Sequence, residues 1–346
     1  MSMQSTQGSH PTRKHALGRR AIVAGLATPF LPRFARAAEF TWRIGHSAPV
    51  DFPLHVRLIE AVGTIASRSG GQMAVEVYPS SELGTPIGLI AQLRAGTLDA
   101  APLTNQVLAT NLAVAALPML GFAFTGYDQV WAAMDGGVGV FLRNQIEQRL
   151  GLFSMQRSWD FGFHQITTSA KTIGSVADLD GLRLRTPPEV DFIDLLQALK
   201  ARPVTMPLSA MESALASGAL DGQESVLPLV KAAALFKVQS RCALTNHIWD
   251  GQWLCVSGQS WAKLPAKLQE IVTAAFNESG LAHRQDTVSA ASAARTELES
   301  QGMSFNATDP SAFRKALGTT GYYAAWQKKV GDAGWNALEK YTGRLA

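Results

Sequence analysis

Histidine, cysteine, serine and glycine are the residues through which a chain like this would do covalent or metal chemistry. None of them falls in a reactive pattern. No H-E-x-x-H, G-x-S-x-G or phosphate-cradling G-x-x-x-x-G-K occurs, and no Cys/His cluster has metal-ligand spacing. Gly136-Gly137-Val138-Gly139 comes nearest to a dinucleotide loop, but it lacks the third glycine and a clear preceding strand. It reads as a flexible start to a helix. The seven histidines are scattered, with His10 and His15 close to the N-terminus. Cys242 and Cys255 flank Asn246-His247-Ile248-Trp249-Asp250-Gly251, and without a C-x-x-C they form neither a redox pair nor a zinc site. A hairpin centred there would set their strands side by side, so a disulfide and two buried free thiols both stay open. Trp42, Trp131, Trp159, Trp249, Trp253 and Trp261 offer a different chemistry, since an aromatic wall gives a flat apolar ligand a large contact area.

The elements that must position these residues follow from periodicity. Phe40–Gly45 and Met73–Tyr78 alternate as strands. Between them Leu54, Leu58, Val62, Ile65 and Ala66 share one helical face, closed by Gly70-Gly71. A helix over 86–95 with Gly96 as its cap, then a short strand over 98–103, completes a β-α-β-α-β order that implies parallel pairing. The pattern returns further on, with strands over 163–168 and 182–185 and a helix over 188–200. Ser209-Ala210-Met211-Glu212 is a capping box at a helix start. A long helical pattern runs from Pro265 to Gln301, and another helix from Tyr322 to Tyr341. The fold class is α/β.

At 346 residues, 47% apolar and 17% charged, the chain should form about two domains, neither disordered nor disulfide-stapled. A formal charge of +4 suggests nucleic acid until the charges are located. Arg13, Lys14, Arg19, Arg20, Arg33 and Arg36 precede residue 38, where no acid occurs, and removing these six leaves 25 Lys+Arg against 27 Asp+Glu. Nucleic acid is therefore not an expected partner. Arg19-Arg20 opens an apolar run from Ala21 to Leu31 that ends in Ala35-Arg36-Ala37, the layout of an export signal over 1–37. The paired arginines resemble a twin-arginine signal, and the missing bulky aromatic keeps general secretion open. The run is too short for a membrane span, which needs ~20 apolar residues. The expected location is the periplasm.

Ordered blocks along the chain carry a family resemblance. They are Tyr78-Pro79-Ser80-Ser81-Glu82-Leu83-Gly84, Leu93-Arg94-Ala95-Gly96-Thr97-Leu98-Asp99 and Asp178-Leu179-Asp180-Gly181-Leu182-Arg183-Leu184-Arg185-Thr186-Pro187. Ala201-Arg202-Pro203-Val204-Thr205-Met206-Pro207-Leu208-Ser209, Gly218-Ala219-Leu220-Asp221-Gly222-Gln223-Glu224 and Thr245-Asn246-His247 follow. In this succession the chain resembles the periplasmic solute-binding proteins of tripartite ATP-independent periplasmic (TRAP) transporters, of the dicarboxylate-binding type. The resemblance implies a two-lobed clamp with a long bridging helix. Residues 38–161 plus 251–290 would form one lobe, and 162–250 plus 291–346 the other. It implies a monomer that is not an enzyme, needs no cofactor, and passes a small organic acid anion to the membrane subunits of a TRAP permease.

By the same resemblance Arg185 is the carboxylate-binding arginine. A guanidinium is a planar fork that takes a carboxylate with two bonds and keeps its charge when water is excluded. Arg183 is expected to turn away into solvent. His164 stands where an arginine is common and Ser225 where asparagine is common, so one fixed positive charge fewer favours a monocarboxylate, with an aromatic body allowed by the tryptophans. Trp159 and Trp253, beside the expected crossings between lobes, and Leu208 complete the expected ligand site. Glu224 could hold a metal in some relatives, but no metal is expected here. The competing readings are an exported α/β hydrolase or lyase, which would need a nucleophile and base, and a receptor that presents its ligand to a sensor kinase.

Overall fold

The computed structural model describes residues 38–345 apart from 188 and 207, and the expected export signal lies outside them. The first lobe opens with β1 (Phe40–Gly45), α1 (Pro53–Arg68), β2 (Met73–Tyr78), α2 (Pro86–Ala95) and β3 (Ala100–Thr104). β1 pairs parallel with both β2 and β3, as the element order implies. Leu54, Leu58, Ala61 and Ile65 of α1 are buried, and Pro53 occupies the first turn, where its missing N–H costs nothing. Thr85 caps α2 by accepting from Gly88 N, and Gly96 closes that helix at φ 72°. The chain continues through α3 (Asn105–Ala109), a 3-10 segment (Ala113–Met119), α4 (Tyr127–Met134) and α5 (Gly137–Leu150) to β4 (Leu152–Ser154) and β5 (Trp159–Phe163). The glycine cluster at 136–139 thus starts a helix.

At His164 the chain leaves the first sheet. β6 (Gln165–Thr168), β7 (Arg183–Thr186), α6 (Val190–Ala198), β8 (Arg202–Thr205), α7 (Leu208–Ala216), β9 (Gly222–Ser225), α8 (Leu227–Ala232) and β10 (Arg241–Leu244) build the second lobe. β11 (Trp249–Ser257) then returns to the first sheet, followed by α9 (Gly258–Lys263) and α10 (Ala266–Ser300). β12 (Ser304–Ala307) joins the second sheet, and α11 (Pro310–Thr319), α12 (Tyr322–Val330) and α13 (Asp332–Thr342) end the chain. The first sheet runs β2-β1-β3-β11-β4 with β5 also on β11, and the second runs β12-β10-β6-β9-β7-β8. Both are mixed: β11 is antiparallel to β3, β4 and β5, and β6 is antiparallel to β9 and β10.

The hairpin expected between Cys242 and Cys255 does not form. β10 and β11 belong to different sheets, and residues 245–248 carry the chain from one to the other. Both cysteines are free and buried. The C-terminal helices touch elements of both lobes: α12 and α13 pack on the 3-10 segment, α4 and α5, with Gly137 N donating to Tyr341 Oη at 2.7 Å, and α12 also meets α6.

At about 52 Å, α10 is long enough to serve both lobes. Its Val272 and Phe276 enter the core beneath α1, while Ala294 and Leu298 enter the core of the second lobe. Arg68–Glu278 at 2.8 Å and Lys231–Glu297 at 2.6 Å fasten it on either side. Among the described residues no helix is long and apolar enough to cross a membrane.

Candidate functional site

The cleft lies where β5 becomes β6 and β10 leads to β11. One compartment, about 390 Å³, is walled by Phe52, Leu54, Ile87, Val107 and Phe161, with Gln106 and Gln252 among them. A second, about 170 Å³, is lined by Arg185, His164, Glu224, Ser225 and Met211. Gln106, Phe161 and Leu229 border both, so the two adjoin. Phe161 reaches the cleft through a bulge. The β5–β11 register shifts between Asp250 and Gly251, which leaves Phe161 as the extra residue and re-aims its ring.

Arg185 sits on β7, in register with Val204 of β8 and Gln223 of β9. It is half-buried, and burial lowers its pKa, with Glu224 and Glu189 opposing that shift. Among the described residues its Nε and Nη2 donate to Met206 O, both at 3.4 Å. No carboxylate among the described residues comes within ion-pair distance of it. Arg183 keeps its side chain at the surface, 42% exposed, as expected. Residues two apart on a strand share a face, and its guanidinium is tied to Asp221 through Nε–Oδ2 at 3.0 Å and Nη2–Oδ1 at 2.7 Å.

His164 is the single residue between β5 and β6, and its N–H donates to Ile248 O at 2.8 Å. Its Nδ1 meets Glu224 Oε2 at 2.6 Å with both side chains buried. The pairing of Ile166 with Glu224 across β6 and β9 places that carboxylate beside the crossing. Burial pushes His164 toward neutrality, but the charge and hydrogen bond of Glu224 outweigh it and raise the imidazole pKa. Burial likewise pushes Glu224 up, yet His164, with help from His247, holds it at about 2. His247 stands 3.7 Å behind the same oxygen, hydrogen-bonded through Nδ1 to Thr245 Oγ1 at 2.7 Å, and burial lowers its pKa. Asp191 of α6 and Asp250 of β11 are both pushed up to about 7 by burial.

Of the expected ligand residues, the structure brings together Arg185, His164 and Ser225. It does not bring in Trp159 or Trp253. Trp159 is buried in the core against Gly280 and His283 of α10. Trp253 points away from the cleft because Gln252, its neighbour on β11, faces in; its Nε1 donates to Asn105 Oδ1 at 3.0 Å. Leu208 opens α7, and its side chain lies outside the described residues. Sequence reasoning missed Phe161, Gln106, Gln252, His247, Asp191 and Asp250. One signal was present: Asp250 and Gln252 are polar positions in a fully buried strand whose other residues before its terminal Ser257 are Trp, Gly, Leu, Cys and Val. No cluster of three or more His, Cys, Asp or Glu among the described residues could hold a metal ion, and Glu224 is engaged by His164.

With the cleft and its charged floor in view, the comparisons with known proteins are decisive. Residues 44–328 match the bacterial extracellular solute-binding protein family 7, DctP. The chain belongs to this family. A family 7 protein is a periplasmic solute-binding receptor of the TRAP type and not an enzyme. A solute-binding protein of Roseobacter denitrificans is 30% identical over 310 residues, 88% of this chain and 92% of that protein. The sialic acid-binding periplasmic protein SiaP of Vibrio cholerae is 27% identical over 280 residues, 81% of this chain and 87% of that protein. A crystal structure of a TRAP periplasmic solute-binding protein from Roseobacter denitrificans with bound L-galactonate superposes with a TM-score of 0.76 at 28% identity, covering 88% of this chain and 99% of that one. The two-lobed clamp with its bridging helix is thus the fold of this TRAP-type family.

Proposed function

We propose that this protein captures a small monocarboxylate in the cleft and delivers it to the membrane subunits of a TRAP permease. One observation carries the reading: Arg185 presents a half-buried guanidinium to the cleft, and among the described residues no carboxylate pairs with it. A ligand carboxylate completes that pair, and closure of the lobes over it strengthens the bond by removing water. The polar floor offers one such fork, because His164 takes the place of a second. The ligands named for the two relatives, sialic acid and L-galactonate, each carry a single carboxylate. Phe52, Phe161 and Leu54 favour an apolar or aromatic body on the acid. Gln106 and Gln252 favour a second reading, a hydroxylated acid, since both present hydrogen-bonding ends to the same compartment.

Thermal-shift screening against benzoate, L-galactonate, pyruvate and succinate tests this. A ligand at a hundred times its Kd stabilises the folded state by about 2.7 kcal/mol, readily seen as a raised midpoint. The Arg185→Ala variant should keep the ligand-free midpoint and lose the shift. A preserved shift rejects the role of Arg185, and a larger response to succinate than to the monocarboxylates rejects the charge argument.

A further inference from the structure

His164 has one ring nitrogen engaged and one free. Nδ1 is held by Glu224 Oε2 at 2.6 Å, whereas Nε2 is buried without a hydrogen-bond partner among the described residues. The ring lines the same compartment as Arg185, and its backbone is pinned by the N–H bond to Ile248 O across the second crossing. A buried N–H donor left unmatched in a polar compartment is costly, so a group that enters and accepts from it gains that cost back. We propose that His164, as an imidazolium donating from Nε2, forms the second half of the anion site with Arg185, so that ligand capture is linked to protonation. This rests on the reading of the cleft as a carboxylate site.

The charged groups around His164 set the strength of the linkage. Glu224 on β9 carries the one firmly negative charge, and Arg185 on β7 a positive one. His247, in the link from β10 to β11, is buried, and that burial lowers its pKa. Asp191 from α6 and Asp250 from β11 are buried with one carboxylate oxygen each left unpartnered. In mildly acid solution these two acids carry little negative charge, and Glu224 favours the protonated form of His164. As pH rises through about 7 these two acids ionise and add negative charge beside the site, which weakens its hold on an anion, and loss of the His164 proton at higher pH removes the donor itself. The ligand carboxylate holds the His164 proton more firmly than the free site does. Affinity is therefore full below the free-state pKa and falls above it until the bound-state pKa is reached.

The experiment titrates L-galactonate, pyruvate and benzoate into the purified protein from pH 5.5 to 9. For an acid that binds, affinity should fall with rising pH by up to about tenfold per pH unit. His164→Gln should bind about ten- to a hundredfold more weakly at pH 6 and lose most of the slope. Glu224→Gln, which keeps His164 in place but removes the charge that retains its proton, should move the fall to lower pH. The imidazole resonances of the unliganded protein, assigned by their loss in His164→Gln, should show a protonated ring at pH 6.5. Affinity constant from pH 5.5 to 9, or a full slope in His164→Gln, overturns the proposal while leaving the carboxylate site intact. A neutral His164 at pH 6.5 overturns it whether or not any of the acids binds. If none of them binds at any pH while the ring is protonated, it is the carboxylate reading that fails, and the linkage falls with it.

Discussion

Asp160 is a buried carboxylate outside the anion site, accepting from Trp249 Nε1 at 2.8 Å where β5 and β11 meet. Burial pushes it up to about 7, against the hydrogen bonds of Trp249 and Tyr127. An acid whose pKa is higher folded than unfolded binds its proton more tightly in the folded state. The stability it contributes is greatest below the unfolded value and is lost as pH rises toward about 7. Asp160→Asn keeps an oxygen for Trp249 and removes the charge. The variant should be more stable than the parent at pH 8, by about 1–2 kcal/mol, and nearly equal to it at about pH 4. Thermal melts at the two pH values check this, and a variant weaker at both would mean that the charged form is the one the fold favours. The two thiols belong to the same scale. Burial pushes both Cys242 and Cys255 up to about 12, so neither should react with a thiol reagent in the folded protein, and both should react in denaturant.

Among the elements, α10 was legible almost to the residue, expected over 265–301 and found as Ala266–Ser300, because helical periodicity is a local signal. The strands that cross between sheets were not. A strand expected over 163–168 breaks at His164, and the apparent hairpin around Asn246 is a link between two sheets, since partner choice in a sheet is set by distant residues. The same limit governed the site. Arg185, His164 and Ser225 could be picked out by their place in ordered blocks, whereas Asp191, His247 and Asp250 come together only through the fold, and the Phe161 bulge has no local signature. The packing of α10 yields a paired test. A Cβ on Gly280 would lie 2.6 Å from Trp159 Nε1 and 2.8 Å from its Cδ1, and that tryptophan is fully buried and unable to retreat. Gly280→Ala should lower stability by about 1–2 kcal/mol, overpacking outweighing the helical gain. Gly63 in α1 has nothing within 4 Å of its would-be Cβ, so Gly63→Ala should stabilise by about 0.5–1 kcal/mol. Equal effects of the two substitutions would show that Trp159 does yield.

For the whole molecule, the chain path bears on how it unfolds. The backbone passes between the sheets at His164, over 245–248 and along α10, so neither lobe is a continuous segment that could fold alone. The two crossings are tied together, with Gln165 Nε2 donating to Asn246 Oδ1 at 2.6 Å and Asn246 N donating to Gln165 Oε1 at 3.0 Å. One apolar core also runs from Leu103 and Leu117 in the first lobe to Leu184 and Leu195 in the second, then to Phe313 and Trp326 in the C-terminal helices. Lys329 of α12 meets Asp194 of α6 at 2.6 Å on the outside of that core. Melting one lobe would expose the shared core and strip α10 of half its contacts, so a half-folded state gains chain entropy only by losing packing that belongs to both halves. Heat should therefore unfold the protein in a single transition, with calorimetric and van't Hoff enthalpies in agreement, and a bound acid should move that transition as a unit. Two resolved transitions, with only the second responding to ligand, would instead mean that the first lobe opens without disturbing the anion site, and that the shared core does not couple the lobes.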